Sequence, residues 1–288
     1  MTTSPEAVEL ILVTGASTGM GAATVRELAA RGYHVLAGVR RESDGRAIAA
    51  PRIQPVLLDI TRPEQIQEVA ALIETDGRPL RAVVNNAGIA VNAPVEVLPM
   101  QEWRRQFDVN FFGHIEVTQA VLPALLRSRG RVVMISSIGG RLAQPTYGAY
   151  SGSKFALEAV ADSLRRELAP TGVQVAIVEP GAVRTEMVGR GGVTLKKLSS
   201  EMSAEQERRY GGLMKAILLQ SEGFLRSGVD ASQAARTIAA AATERRPKTR
   251  YTIGRDAAIL IRLARFLPDR VLDRLLASSL RGLLRKVQ

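Results

Sequence analysis

Tyr150 and Lys154 are the side chains in this sequence best suited to move a proton, because of their types and their spacing. The residues around them have helical spacing, so two side chains four positions apart share a face and can reach one ligand. A phenol with an ordinary pKa of about 10 transfers protons poorly at neutral pH, but a nearby ammonium favours its phenolate. The pair predicts general acid/base chemistry in which Lys154 activates Tyr150.

A glycine-rich turn near the start of the chain, TGASTGMG, predicts a binding site for a phosphate-bearing ligand. Glycine permits a tight turn and a close backbone approach to a pyrophosphate, and the helix that follows offers amide donors at its N-terminus. Three glycines alone are a weak indication, but this turn follows the first predicted strand, as a dinucleotide-binding turn requires. The residues predicted to bind there are Gly15, Ser17, Thr18, Gly19, Met20 and Gly21.

The elements that must position these residues follow from the hydrophobic pattern. Short apolar runs rich in β-branched residues predict six buried strands, at residues 10–13, 35–39, 56–58, 82–84, 132–135 and 175–178. Segments of helical spacing lie between them, at residues 22–31, 63–74, 103–128 and 150–168. Such alternation specifies a parallel sheet covered on both faces, so we predict a Rossmann-like, doubly wound α/β fold in a single domain.

Five further motifs follow the glycine turn in a fixed order. They are NNAG ending at Gly88, VNFFG with Asn110, ISSIGG with Ser137, YSGSK with Tyr150 and Lys154, and PGAVRT ending at Thr185. Together with the G-x-x-x-G-x-G turn, this order and these intervals resemble the short-chain dehydrogenase/reductase family over residues 10–185.

The resemblance implies roles for the residues that match. Tyr150 would protonate a carbonyl oxygen during reduction, and Ser137 would hydrogen-bond the same oxygen. Lys154 would also hold the nicotinamide ribose, and Asn110 would anchor a water that links Lys154 to solvent. Strand alternation predicts that Ser136 points to the opposite face. A turn hydroxyl for Ser137 and a helix-side amide for Asn110 are the structural alternatives.

The same resemblance implies cofactor contacts after the later strands. Asn86 and Gly88 would lie beside the adenine ribose, Asp59 would contact adenine, and Thr185 with the backbone of Val183 would hold the carboxamide. The full set of these contacts is Asp59, Ile60, Asn86, Ala87, Gly88, Pro180, Gly181, Val183 and Thr185.

The end of the second predicted strand favours NADP(H) over NAD(H). A 2′-phosphate needs a cation there and is repelled by a carboxylate, whereas a ribose 2′-hydroxyl needs an acceptor. Val39 stands where NAD-dependent relatives usually place aspartate, and Arg40 and Arg41 follow it. Thr18 departs from the pattern, because many NADP-preferring relatives carry a basic residue there. The alternative for the two arginines is a solvated loop pair.

Composition limits the other possibilities. The chain has no cysteine and only two histidines, His34 and His114, so we expect no metal site. The formal charge of +11 comes mainly from arginines spread along the chain, without the basic stripe of a nucleic-acid binder, so we expect no nucleic-acid partner. No signal-peptide pattern or long apolar run is present, and we expect a cytoplasmic location.

Residues 189–228 are predicted to form a lid over the substrate, because this insertion falls near the carboxyl ends of the strands. Its apolar residues at helical spacing indicate core, a subunit contact or the lining of a pocket for a hydrophobic steroid-, retinoid- or acyl-like substrate. They are Leu195, Leu198, Met202, Tyr210, Leu213, Met214, Ile217, Leu218 and Phe224.

The sequence also predicts a division between a catalytic domain, residues 1–254, and a helical extension, residues 255–288. Apolar residues and arginines alternate in the extension, and Pro268 predicts two amphipathic helices. Packing on the domain or on a second subunit is the commoner use of such helices, and contact with an anionic membrane surface is the alternative.

The resulting hypothesis is an NADP(H)-dependent oxidoreductase that interconverts a hydrophobic carbonyl compound and its alcohol, in a homo-oligomer that the resemblance implies is a dimer or a tetramer. The alternatives are an NAD-dependent alcohol dehydrogenase of the same fold and a non-catalytic, cofactor-sensing protein.

Overall fold

Seven parallel strands form one sheet in residues 8–285, the part of the chain that this computed structural model describes. The strands, in chain order, are β1 Leu10–Val13, β2 His34–Val39, β3 Ile53–Leu57, β4 Leu80–Asn85, β5 Arg131–Ile135, β6 Gln174–Pro180 and β7 Arg250–Ile253. Their order across the sheet is β3-β2-β1-β4-β5-β6-β7. The chain crosses from β3 at one edge to β4 beside β1, which is the topological switch point where doubly wound sheets bind ligands.

Eleven α-helices accompany this sheet within the same residues. They are α1 Gly19–Ala30, α2 Glu42–Ile48, α3 Pro63–Asp76, α4 Met100–Phe107, α5 Gly113–Ser128, α6 Gly148–Leu168, α7 Glu186–Ser200, α8 Ala204–Ser227, α9 Ala231–Thr243, α10 Arg255–Phe266 and α11 Asp269–Leu284. One face of the sheet packs against α1 and α9, and the other packs against α3, α5 and α6. The predicted Rossmann-like fold is confirmed.

Two elements differ from the sequence prediction. The sheet has a seventh strand, β7, whose four residues RYTI are too short and too polar to stand out as an apolar run. The single helix predicted at residues 103–128 is two helices, α4 and α5, joined by a π-helical turn at Asp108–Phe112. Both differences arise from tertiary contacts, because β7 pairs with β6 and the turn buries the Asn110 side chain.

The predicted lid is helical, and it forms a third apolar cluster beside the carboxyl ends of the strands. Leu195 and Leu198 of α7 pack there with Met214 and Ile217 of α8, and Leu280 of α11 joins them. The C-terminal extension therefore packs on the lid through one of its faces.

The extension forms two helices, α10 and α11, with Pro268 between them. Ala257 is buried, and a Cβ added at Gly181 would lie 2.7 Å from its Cβ, so α10 packs close to the end of β6. No helix in residues 8–285 has both the length and the apolar character needed to cross a bilayer. Residues 1–7 of the predicted catalytic domain and residues 286–288 of the predicted extension lie outside the described residues.

Candidate active site

The glycine turn after β1 requires glycine for steric reasons. Gly15 and Gly19 have φ values of +63° and +55°, in the left-handed region that other residues rarely adopt. A Cβ at Gly15 would lie 2.7 Å from the Cα of Ala87, and one at Gly21 would lie 2.2 Å from the carbonyl oxygen of Gly15. The turn therefore brings backbone amides, unshielded by side chains, to the N-terminus of α1.

Thr14 and Asn86 fix this turn to the end of β4. The Asn86 side chain donates from Nδ2 to the carbonyl oxygens of Thr14 at 2.9 Å and Gly15 at 3.1 Å. The Thr14 hydroxyl in turn accepts from the backbone amides of Asn86 at 2.9 Å and Ala87 at 3.0 Å. The amide of Asn86, expected beside a ribose, is thus engaged in holding the turn.

A cavity of about 480 Å³, called the first cavity below, opens along this turn and the ends of β2 and β4. Its bare backbone donors suit the phosphates of a dinucleotide, and thirteen of the predicted cofactor-binding residues line it. They are Gly15, Ser17, Thr18, Gly19, Met20, Gly21, Arg40, Asp59, Ile60, Asn86, Ala87, Gly88 and Thr185.

The two arginines after β2 have different surroundings. Arg40 lines the first cavity. Arg41 does not, because its guanidinium binds both carboxylate oxygens of Asp44, each at 3.0 Å, in the first turn of α2. The structure therefore does not bring Arg41 to the predicted cofactor site, and the positive charge at this end of the cavity belongs to Arg40.

Five charged residues that the sequence analysis missed also line the first cavity. Arg105, Asp108 and Glu116 come from α4, the π-helical turn and α5, and Glu186 and Arg190 come from α7. They belong to no motif, and their only sequence signal is their place on helices that follow the strand ends.

Ser137 and Tyr150 lie in a second cavity, of about 170 Å³. The Ser137 hydroxyl accepts from the Gly139 amide at 3.0 Å, in the tight turn that follows β5. Burial raises the pKa of Tyr150, and a hydrogen bond with the Ser137 side chain acts in the opposite direction. Ser136 also lines the second cavity, with its hydroxyl oxygen 2.6 Å from where a Cβ at Gly140 would lie, and its predicted orientation to the opposite face stays a prediction.

Lys154 is 4% exposed and donates from Nζ to the carbonyl oxygen of Ile135 at 2.8 Å. Burial lowers its pKa to about 8, and the negative charge of Glu158 opposes that shift. The pKa of Tyr150 shifts upward, opposite to the direction expected from a neighbouring ammonium. Desolvation of the phenolate is the dominant effect at this site.

Asn110 lines neither cavity. Its side chain exchanges hydrogen bonds with the backbone of Ile89, Nδ2 donating at 2.9 Å and Oδ1 accepting at 2.9 Å, and Nδ2 also donates to Ser153 Oγ at 3.2 Å. Ser153 donates to the Tyr150 carbonyl oxygen at 2.7 Å. Asn110 thus ties the segment after β4 to the start of α6, and its predicted role in a water relay stays a prediction.

The second cavity is walled mainly by apolar groups, with a few polar ones. Leu195 and Phe224 are the two members of the predicted lid face that reach it, whereas Leu198, Met214 and Ile217 are core. The remaining predicted cofactor contacts, Pro180, Gly181 and Val183, also line it. Its polar lining includes Asn92, Gln144, Tyr147, Ser151 and Ser221.

Tyr147 is a second tyrosine in the lining of this cavity, beside Tyr150. The two rings stand edge to face with centroids 6.3 Å apart. Burial, assisted by Tyr150, raises the pKa of Tyr147 to about 12, so this phenol remains neutral at physiological pH. Tyr147 can donate a hydrogen bond to a ligand but is poorly suited to accept its proton.

The two cavities adjoin, and five residues line both: Met20, Asn86, Gly88, Thr185 and Met187. A ligand in the first cavity can therefore contact a ligand in the second, which Tyr150 lines. No cluster of three or more His, Cys, Asp and Glu side chains suited to a metal occurs among residues 8–285. The arrangement suits redox chemistry in which a proton moves at Tyr150 beside an apolar pocket.

Comparisons with known proteins identify the family. A family model for short chain dehydrogenases matches residues 9–193. Retinol dehydrogenase 5 of Mus musculus is 38% identical over 283 residues, spanning 94% of this chain and 89% of the relative.

Two solved structures extend the likeness. A short chain dehydrogenase from Burkholderia cenocepacia in complex with NADP has a TM-score of 0.73 and 26% identity, covering 93% of this chain and 98% of that one. A family member from Burkholderia phymatum in complex with NAD has a TM-score of 0.76 at 22% identity, covering 91% of this chain and 94% of that one, and shows the fold alone. The chain belongs to the short-chain dehydrogenase/reductase family, whose members are oxidoreductases that bind a nicotinamide cofactor.

Proposed function

We propose that this protein is an NADP(H)-dependent oxidoreductase that interconverts a hydrophobic ketone or aldehyde and its alcohol, with retinoid-like compounds as the first substrates to test. The observation that carries the proposal is that the first cavity adjoins a second cavity whose lining includes Tyr150 and Ser137. The largely apolar wall of the second cavity supports a hydrophobic substrate. The likeness to a retinol dehydrogenase supports a retinoid among the steroid-, retinoid- and acyl-like candidates.

In the proposed reaction the nicotinamide group, when bound, supplies or accepts the hydride. Tyr150 donates its phenolic proton to the carbonyl oxygen during reduction and takes it back during alcohol oxidation. Its raised pKa keeps the phenol protonated before reduction but makes it a weaker acid, so proton transfer depends on groups that stabilise the phenolate. Ser137 hydrogen-bonds the same oxygen, and the buried ammonium of Lys154 stabilises the phenolate that forms. Asn110 positions α6 through Ser153 and Ile89.

The proposed preference for NADP(H) depends on Arg40. Its guanidinium lines the first cavity, and Val39 provides no carboxylate that would repel a 2′-phosphate. The similar solved structures include one complex with NADP and one with NAD, so membership of the family does not decide between the two cofactors. The positive charge of Arg40 supports NADP(H).

The chemistry is tested with Tyr150→Phe, assayed with NADPH and retinal and with NADP⁺ and retinol. We expect turnover to fall by a factor of about 10² to 10⁴, with NADPH affinity retained, because the variant loses only the proton donor. Tyr210→Phe is the matched control, since Tyr210 bonds Glu96 on the outside of the lid. Unchanged turnover in Tyr150→Phe contradicts the mechanism. A wild-type protein that binds NADPH but converts no hydrophobic carbonyl compound favours the cofactor-sensing alternative.

The cofactor preference is tested by fluorescence titration with NADPH and NADH. Arg40→Asp is expected to weaken NADPH binding by about tenfold or more, because it replaces a charge-assisted contact by a like charge. Arg41→Asp is the control, since Arg41 lies outside the cavity. A wild-type preference for NADH would instead support the NAD-dependent alternative.

We further propose that the exposed side of α10 and α11 lies against an anionic membrane surface. The opposite side packs on the domain and lid, but Ile259, Phe266, Val271 and Leu275 remain 57%, 76%, 39% and 48% exposed. Exposed arginines of the same helices supply the positive charge. Flotation with anionic vesicles tests this: Phe266→Asp should reduce recovery with the vesicles, whereas Val95→Asp, at a 69% exposed site elsewhere, should not. Equal recovery of the wild type and Phe266→Asp with the vesicles contradicts membrane contact, and the expected cytoplasmic location then stands.

A homo-oligomer is proposed through α5 and α6. Phe155 of α6 and Leu126 of α5 are 44% and 40% exposed, and a second copy packed on these helices would bury them. Sedimentation of the wild type and of Phe155→Glu tests this interface, and identical masses contradict it.

A further inference from the structure

Helix α7 of the lid forms a wall of both cavities. Glu186 and Arg190 line the first cavity, and Val188, Gly191 and Leu195 line the second. The first two are four residues apart and share a face, whereas the other three follow a neighbouring helical stripe. Any change in the position of α7 therefore alters both cavities together.

Glu186 places a carboxylate beside the turn that would receive phosphate groups. A Cβ at Gly19 would lie 3.3 Å from Oε2 of Glu186. Gly19 begins α1, whose N-terminal amides and dipole favour an anion at this place. Within the described residues, the Glu186 side chain makes no ion pair and no hydrogen bond, and it lies between the N-terminus of α1 and the first turn of its own helix, α7.

Arg190 places a cation on the same face, one turn further along α7. Unlike Arg41, Arg105 and Arg184, which pair with Asp44, Glu102 and Asp230, Arg190 makes no ion pair with any residue from 8 to 285. It does not pair with Glu186 either, although a spacing of four residues permits that pair. Its guanidinium is thus available to an anion in the first cavity.

We infer that Arg190 binds the diphosphate of the dinucleotide and that Glu186 opposes it, so that cofactor binding draws α7 towards the glycine turn and across the second cavity. This inference rests on the proposed dinucleotide site. An incoming diphosphate displaces the Glu186 carboxylate from the N-terminus of α1 by like-charge repulsion, and it attracts the Arg190 guanidinium, which can bind two phosphate oxygens at once. Val188, Gly191 and Leu195 move with the helix and order the substrate wall.

The inference is tested by fluorescence titration of the full chain with NADPH and with NADH. Arg190→Ala should weaken the binding of both by about tenfold, because the diphosphate is common to the two dinucleotides. Glu186→Gln should strengthen both. Arg40→Ala should weaken NADPH alone, and Arg190→Lys should restore part of the lost affinity. Arg226→Ala, an exposed arginine of α8 outside both cavities, is the matched control.

Hydrogen exchange of residues 186–200 gives a second readout that does not depend on activity. In the wild type, NADPH should slow exchange in α7, and in Arg190→Ala this protection should be reduced at saturating NADPH. Unchanged affinity together with full protection in Arg190→Ala overturns the inference while the proposed function stands. If Arg190→Ala weakens the binding of NADPH but not of NADH, the assignment of Arg190 to the diphosphate is overturned. Absence of binding in the wild type overturns the cofactor proposal itself.

Discussion

At the scale of single residues, the site combines proton-transfer groups with an environment that disfavours their charged forms. Lys154 is almost fully buried and has a pKa lowered to about 8, and burial raises the pKa of Tyr150. His114, also fully buried, has its pKa lowered to about 3 by burial and by the charge of Lys154. Each shift keeps a side chain neutral over a wider pH range, at a cost in folding free energy that function can justify.

Replacement of Lys154 by methionine should therefore change how stability depends on pH. The pKa of Lys154 is about 8 when folded and 10.5 for the free side chain, so between these pH values the unfolded chain binds more protons. The free energy of unfolding of the wild type should rise with pH through that window, by on the order of 3 kcal/mol from this residue. Lys154→Met should lack this rise.

Urea unfolding at pH 7.5 and at pH 10 measures the effect as a difference between the two proteins. Other groups that titrate in the window contribute to both, so they cancel in the comparison. Parallel changes in the wild type and in Lys154→Met contradict the assigned shift.

At the scale of elements, α7 is a helix with an unusual content of glycine. Gly189, Gly191 and Gly192 lie within its limits, and each weakens a helix by up to about 1 kcal/mol relative to alanine. Gly191 has a steric reason, since a Cβ there would lie 3.3 Å from the carbonyl oxygen of Ala90. Gly189 has none, because no atom lies within 4 Å of its Cβ position. A weakly stable helix suits an element that we infer to move when cofactor binds.

Gly189→Ala should stabilise α7 by about 0.5 to 1 kcal/mol, because alanine restricts the unfolded chain and meets no neighbour. Slower hydrogen exchange across residues 186–200 is the expected result. Gly223→Ala in α8, where the Cβ also meets nothing within 4 Å, is the control and should leave exchange in α7 unchanged. Faster exchange in Gly189→Ala contradicts the helical state of this segment.

At the scale of the whole molecule, one buried ionic cluster joins three elements behind the active site. Arg250 of β7 lies 3.0 Å from Glu158 and 3.0 Å from Asp162 of α6, and 3.4 Å from Glu179 of β6. Arg141 approaches Glu158 and Glu179 at 3.8 Å and 3.6 Å. Glu158 and Glu179 are 5% and 2% exposed, so the two arginines offset the desolvation cost of burying their carboxylates.

Arg250→Met should destabilise the protein by about 3 to 5 kcal/mol at neutral pH, because it leaves buried carboxylates without their main partner. Burial and the charge of Glu158 already raise the pKa of Glu179, and loss of Arg250 should raise it further. The difference in unfolding free energy between the wild type and Arg250→Met should therefore become smaller as pH falls and the carboxylates become neutral. Chemical unfolding at pH 7 and pH 4.5 measures it, with the exposed Arg246→Met as control. A deficit that does not depend on pH contradicts the role of these carboxylates.

Much of the fold and of the reaction centre could be predicted from local sequence. Short apolar runs rich in β-branched residues give strand positions, and the four-residue spacing of Tyr150 and Lys154 needs only a helix to bring the two side chains together. The glycines of the turn after β1 were predictable for the same reason, since their need for left-handed φ and close backbone contact is local. The strand β7 and the π-helical turn around Asn110 were missed, because a short polar strand and one additional residue in a helical turn leave no periodic signal.

The sequence by itself determined the doubly wound sheet, the glycine turn and the order of the proton-transfer residues, because these depend on spacing along the chain. Only the tertiary structure decided which arginine after β2 faces the cavity, since Asp44 engages Arg41 and leaves Arg40. It also decided that Glu186 and Arg190 line the first cavity and that the pKa of Tyr150 moves upward. Ion pairing, desolvation and contact between distant segments depend on what surrounds a side chain in space, and spacing along the chain does not encode those surroundings.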